Sequence, residues 1–219
     1  PSVWPPKNIN ISSYEPLNVP YLQTPPEVVP IDVGRQLFFD NFLIANTDLE
    51  RKFYKPKKYA QNPILKPETA LETSNIPGAS AKDGGVWWEP REQIFKMWYE
   101  AGWLNKMAYA TSNDGVNWVR PDLNNGSNEL LTLSRFPANS CAVVLDYEAS
   151  DNERYKMFLR SPNADATDNA GYCMISSNGK QWSWFTKTGP CGDRSTMFYN
   201  PFRKKWVFSI RTQIGRAHV

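Results

Sequence analysis

From Ile31 onward the apolar residues of this 219-residue chain fall in short runs bounded by polar turns. That is the pattern of strands, whereas amphipathic helices would repeat about every 3.6 residues. The runs Leu37-Phe38-Phe39-Asp40-Asn41-Phe42-Leu43-Ile44 and Asn62-Pro63-Ile64-Leu65 predict the first two strands. After Gly78 the pattern repeats. A first copy runs through Val86-Trp87-Trp88-Glu89-Pro90, a charged turn, Phe95-Lys96-Met97-Trp98-Tyr99 and Met107-Ala108-Tyr109-Ala110-Thr111-Ser112. A second has Ala142-Val143-Val144-Leu145-Asp146, Tyr155-Lys156-Met157-Phe158-Leu159 and Tyr172-Cys173-Met174-Ile175-Ser176. A third begins Thr196-Met197-Phe198-Tyr199-Asn200-Pro201, turns, and continues Trp206-Val207-Phe208-Ser209-Ile210.

The first two copies close on the same motif, Ser112-x-Asp114-Gly115-x-x-Trp118 and Ser176-x-Asn178-Gly179-x-x-Trp182, with the glycines 64 residues apart. The Asp or Asn and the Gly suit a tight turn between outer strands, and the Trp suits the wedge between neighbouring sheets. This motif is structural. A four-strand unit of this length fits a β-propeller blade with long loops, since blades run upward from about 40 residues. The expected class is therefore all-β, with residues 31–213 forming a partial propeller. Residues 1–30 carry seven spaced prolines from Pro5 to Pro30 without sustained periodicity, and read as an extended leader or linker.

Composition supports the strand reading: 14% of residues are aromatic and 18 are proline. Against 25 Lys and Arg stand 22 Asp and Glu, a net charge of +3 that calls for neither nucleic acid nor an anionic membrane. The expected partner is small or neutral. No apolar run is long enough to span a bilayer, and no signal peptide is visible; the sequence does not fix the compartment. Three cysteines, Cys141, Cys173 and Cys191, lack CxxC spacing. Residues 214–219 break a strand-like run and match a reading frame of a common sequencing adapter, so they read as a scar and the chain as interrupted within a blade. The only histidine, His218, lies in that scar. Ser-His-Asp and Cys-His catalysis and His-ligated zinc are thereby excluded, and neither metal nor cofactor is expected. The loop Asn163, Asp165, Asp168, Asn169 is rich in oxygen ligands but lacks the spacing and glycine of a calcium loop, and reads as solvated.

In a propeller the first strand of each blade lines a central channel, so residues just ahead of it converge from different blades. The first copy leads in through Lys82-Asp83-Gly84-Gly85, the second through Asn139-Ser140-Cys141, the third through Gly192-Asp193-Arg194-Ser195. Asp83 and Asp193 thus occupy nearly the same position, two units apart. Here the chain resembles the five-bladed propeller glycoside hydrolases of families 32, 43, 62 and 68. Lys96-Met97-Trp98-Tyr99 followed by Ala110-Thr111-Ser112-Asn113-Asp114-Gly115-Val116-Asn117-Trp118 is similar to their first-blade pattern, and Gly192-Asp193-Arg194-Ser195-Thr196-Met197-Phe198-Tyr199 to their Arg-Asp-Pro segment.

The resemblance implies an incomplete five-bladed propeller with about three blades represented, and hydrolysis of a glycosidic bond in an oligo- or polysaccharide. It implies Asp83 as nucleophile or general base, Asp193 as transition-state stabiliser, and a glutamate general acid one blade beyond the end of this chain, which leaves this fragment inactive. A secreted or periplasmic location would suit such an enzyme. The chemistry needs these groups whatever the family: one carboxylate to attack or activate water, one acid to protonate the leaving oxygen, and negative charge near an oxocarbenium-like centre. The rival is a non-catalytic sugar-binding propeller. Asp83-Gly84-Gly85 also reads as a plain turn, and Asp193 as the local partner of Arg194. Glu89, ahead of Pro90, competes with Asp83, but strand length places it at the far end of its strand. Trp87, Trp103 and Arg194 are the candidate sugar contacts; of the adjacent pair Trp87 and Trp88, alternation lets only one approach the channel.

Overall fold

A computed structural model describes residues 23–24, 26–29, 37–38, 40–41, 43–74, 76–133, 141–160, 170–201 and 204–211. The acidic loop at 163–169, the lead-in residues 139 and 140 and the terminal segment 214–219 lie outside them. The chain divides into two units, Pro1–Lys57 and Lys58–Val219.

Neither of the first two expected strands is formed among the described residues. At 37–44 the backbone turns instead: the Ile44 N–H donates to the Asn41 carbonyl, and Arg51 binds the Asp40 carbonyl and Asn41 Oδ1. Acceptors that a ladder would use go to a turn and a side chain. At 62–65 the Asn62 N–H closes a turn on the Tyr59 carbonyl, and Pro63 has no N–H to give. Short apolar runs form strands only where a sheet receives them, and here Leu37, Phe38 and Ile64 stay exposed.

Among its described residues the second unit holds one short α-helix, α1 (Ala70–Thr73), and nine strands: β1 (Ala79–Glu89), β2 (Ile94–Ala101), β3 (Lys106–Ser112), β4 (Cys141–Leu145), β5 (Tyr155–Arg160), β6 (Ala170–Ser176), β7 (Ser183–Pro190), β8 (Thr196–Asn200) and β9 (Lys205–Ser209). They form three antiparallel meanders in chain order, β1-β2-β3, β4-β5-β6-β7 and β8-β9. In the first, the fourth position is a broken edge: Val119 bridges Thr111 and Glu129 bridges Ala108, with a turn between them. Pro121, which cannot donate to a ladder, stands where a continuous fourth strand would run.

The closing motifs fold alike. Ser112 Oγ accepts the Gly115 N–H at 2.9 Å, and Asp114 Oδ1 accepts those of Val116 and Asn117. Ser176 Oγ accepts the Gly179 N–H at 2.9 Å, and Asn178 Oδ1 those of Lys180 and Gln181. Both glycines are left-handed, φ 74° and 76°. The carboxyl of Asp114 is held well below the usual range, first by the Asn117 and then by the Val116 N–H.

An antiparallel sheet commonly wets one face; the second sheet buries both along β4, β5 and β6, while its edge strand β7 is exposed. Cys141, Val143, Leu145, Tyr155, Met157, Leu159 and Met174 pack with Trp98, Met107 and Tyr109 of the first sheet. The alternate residues Val144, Phe158 and Cys173 pack with Cys191, Met197 and Trp206 toward the third. Trp182 fills the first seam and Trp118 the opposite face of the first sheet, so equivalent residues occupy equivalent faces. The seam is pinned by the indole N–H groups of Trp87, donating to the Val143 carbonyl, and Trp98, donating to that of Gly179, each at 2.7 Å. Backbones of neighbouring sheets approach most closely through their first strands, β1 beside β4 and β4 beside β8.

Candidate functional site at the leading ends of the first strands

Two ends of these first strands differ in kind. At the trailing end, Glu89 is the last residue of β1 and has no exposed surface. Its carboxylate accepts from Arg154 Nε at 2.8 Å, from Tyr155 Oη at 2.6 Å and from the Arg91 N–H at 3.0 Å. Lys96, also buried, donates to Tyr155 Oη at 2.9 Å and to Glu92 Oε1 at 2.6 Å. Burial pushes the Glu89 carboxyl up, but the hydrogen bonds from Arg154, Tyr155 and the Arg91 N–H, with the Arg154 charge, outweigh it and hold the group at about 2. A carboxylate this fully committed ties the first two sheets together. Its placement agrees with the sequence reading that set it at the far end of its strand.

In its leading half β1 is interrupted, with Ala79–Ala81 still paired ahead of the break. Ala81 pairs with Tyr99 and Val86 with Met97, so residues 82–85 stand opposite Trp98 alone. Bulges re-aim side chains and are found next to functional sites. This one carries Asp83 out of the ladder to an exposed position, with no hydrogen bond or ion pair to another described residue.

Asp193 lies in the turn just ahead of β8 and is half-buried. Its partner is not the adjacent Arg194 but Arg211, whose Nη1 donates to Asp193 Oδ1. The backbone is shaped for this. The Gly192 N–H donates to the Arg211 carbonyl at 2.7 Å, and Ser195, fully buried, donates to the Gly192 carbonyl and accepts the Arg211 N–H, both at 3.0 Å. Arg194 takes a left-handed φ of 57° and its side chain is exposed.

Asp83 precedes Val86 by three residues and Asp193 precedes Met197 by four, and those residues occupy equivalent positions in β1 and β8. Counted back from those residues, the two aspartates hold corresponding positions in the first and third sheets, Asp83 within β1 and Asp193 ahead of β8, with β4 between; among the described residues no hydrogen bond or ion pair joins them. The sugar-contact candidates divide. Trp103 projects from the β2–β3 turn, beyond Ala101 and its partner Ala79 and so further along the sheet than the Asp83 bulge, 52% exposed, its backbone N–H held by the Ile76 carbonyl. Trp87 is turned into the seam by its bond to Val143. Trp88, on the other face, packs on Phe95 with ring centroids 4.8 Å apart.

Sequence reasoning did not single out Arg211, which is 18 residues from Asp193, or Arg160, which ends β5 at this same end of the second sheet. Burial pushes the Cys191 thiol up, and the Arg160 charge and a hydrogen bond with Ser195 partly offset this. Neither arginine has a local sequence signal. Among the described residues no group of His, Cys, Asp or Glu side chains is gathered to hold a metal ion, and no helix is long and apolar enough to cross a membrane. Compared with known families and with curated proteins, the chain matches no family model and no curated sequence.

Proposed function

We propose that the three stacked meanders are blades of a β-propeller, five-bladed as the sequence resemblance implies, and that the leading ends of their first strands form a glycoside-hydrolysing site. The blade reading is supported by the repeat of faces from sheet to sheet and by the close approach of the first strands, which makes the sheets radiate from that side. The observation that carries the function is the contrast between two carboxylates at one mouth. Asp83, lifted out by the bulge and unpartnered among the described residues, is the nucleophile or general base. Asp193, bound to Arg211, is the fixed negative charge that stabilises an oxocarbenium-like centre. Trp103 supplies a stacking face for the sugar ring. A carboxylate held by a guanidinium is suited to bind and stabilise rather than to shuttle protons.

The test bypasses the general acid, for which these residues offer no candidate. A panel of 2,4-dinitrophenyl glycosides and glycosyl fluorides has leaving groups that depart without protonation. The chain is expected to release dinitrophenolate or fluoride from at least one sugar, and Asp83→Asn to abolish release. Absence of release across the panel, or unchanged release by Asp83→Asn, overturns the proposal. Binding of a sugar without release would leave the non-catalytic sugar-binding propeller as the function.

A further inference from the structure

The Asp193–Arg211 pair is not explained by stability. Its partners are 40% and 49% exposed, and pairs this open contribute about 0–1 kcal/mol. Yet the surrounding chain is constrained for it. A Cβ on Gly192 would meet the Arg211 carbonyl oxygen at 2.9 Å and its Cγ at 3.3 Å, so only glycine lets the two backbones approach this closely. Arg194 adopts a left-handed φ, disfavoured for a residue with a Cβ. Ser195 spans Gly192 and Arg211 from a fully buried position, donating to the one and accepting from the other. Three local constraints thus converge on one outcome, the guanidinium of Arg211 facing the carboxylate of Asp193 across a closed turn.

We infer that Arg211 is a positioning residue: resting on the hydrolase reading above, it holds the Asp193 carboxylate in one orientation, as a hydrogen-bond acceptor aimed at sugar hydroxyls and at the charge that develops at the anomeric carbon. Ser195 acts at one remove, by fixing the backbone of Arg211. Arg211 itself need not touch the sugar. A carboxylate freed from it would swing among rotamers, and a misplacement of about 1 Å in a site of this kind costs on the order of 100-fold in rate.

Arg211→Gln, Arg211→Lys, Asp193→Asn and the Asp193→Asn/Arg211→Gln double variant test this in the full chain, on whichever dinitrophenyl glycoside the wild type cleaves. Arg211→Gln is expected to lower kcat/KM by about 10- to 100-fold, with Tm within about 2 °C of wild type, as befits an exposed pair. Arg211→Lys recovers part of that loss. The double variant is no worse than Asp193→Asn alone, because once the carboxylate is gone there is nothing left to position. Ser195→Ala reproduces the direction of Arg211→Gln. An NMR arm needs no sugar: a resolved Nη signal of Arg211, present in the wild type, should vanish in Asp193→Asn.

If Arg211→Gln cleaves as well as wild type while Asp193→Asn does not, or if the effects of the two variants simply multiply, the positioning role is overturned and the hydrolase reading stands. An absent Nη signal in the wild type overturns it too. If no glycoside is cleaved by the wild type, the hydrolase reading is lost and the role inferred for Arg211 goes with it.

Discussion

The two halves of β1 treat a carboxylate in opposite ways. At the trailing end Glu89 is enclosed between two sheets, and a guanidinium, a phenol and a backbone N–H all donate to it. In the leading half Asp83 is carried outward within a four-residue bulge and engages no described group. Burying an ion is tolerable only when its partners are complete, so every atom around Glu89 is committed to holding sheets together. An exposed acid carries no such requirement, and its carboxylate remains available to a ligand. One half of the strand is scaffold and the other is where chemistry can be carried out at little cost to folding.

That contrast predicts unequal responses to isosteric loss of charge. Glu89→Gln should be the most damaging substitution, about 3–5 kcal/mol, since it strands Arg154 in the seam; urea denaturation measures it. Pairing it with Arg154→Met should restore part of the loss, because an apolar pair needs no charge partner. If Glu89→Gln unfolds at the wild-type urea concentration, the trailing end is not a scaffold.

Gly179→Ala comes next, at about 2–4 kcal/mol, from a left-handed φ together with overpacking. Its Cβ would meet Trp98 Cζ2 at 2.5 Å. Loss of the near-ultraviolet tryptophan dichroism along with stability would locate the damage at Trp98.

A pH dependence follows for the buried acids. Glu72, which caps α1 and binds Tyr99 and Arg120, is pushed up by burial and pulled down further by Arg120, the Glu68 and Thr69 N–H groups and Tyr99, to about 2, like Glu89. Both folded values lie below the ordinary 4.5, so the unfolded chain takes up protons first as the solution is acidified. Their contribution is complete above about 4.5, declines below it and is gone once the pH has passed through about 2. Acid titration of the melting temperature should follow that course, and in Glu89→Gln the decline should be shallower.

The smallest stability effect belongs to Asp83→Asn, within about 0.5 kcal/mol, in the same variant that is expected to lose all glycoside cleavage. A shift comparable to that of Glu89→Gln would erase the distinction between the two halves.

The sequence by itself determined eight of the nine described strands after Gly78, all but β7, together with their repeat and the closing turns. Each of these is decided by neighbours in the chain: alternation by successive Cβ directions, the turns by Ser, Asp or Asn and Gly within four residues. It also placed Glu89 at the end of its strand, because strand length is a local quantity. It misjudged 37–44 and 62–65, where apolar runs exist but the described backbone turns away from a ladder. It offered Arg194 as the neighbour of Asp193, because adjacency is all a sequence shows; a left-handed backbone at Arg194 and the return of the chain after β9 bring Arg211 to it instead. Which face of each sheet is covered, how wide the bulge at Asp83 is and which cation meets which acid depend on groups brought together from across the chain. Such pairings are settled by the packing of whole sheets, and so only the tertiary structure separates a carboxylate that binds the fold together from one left free to act.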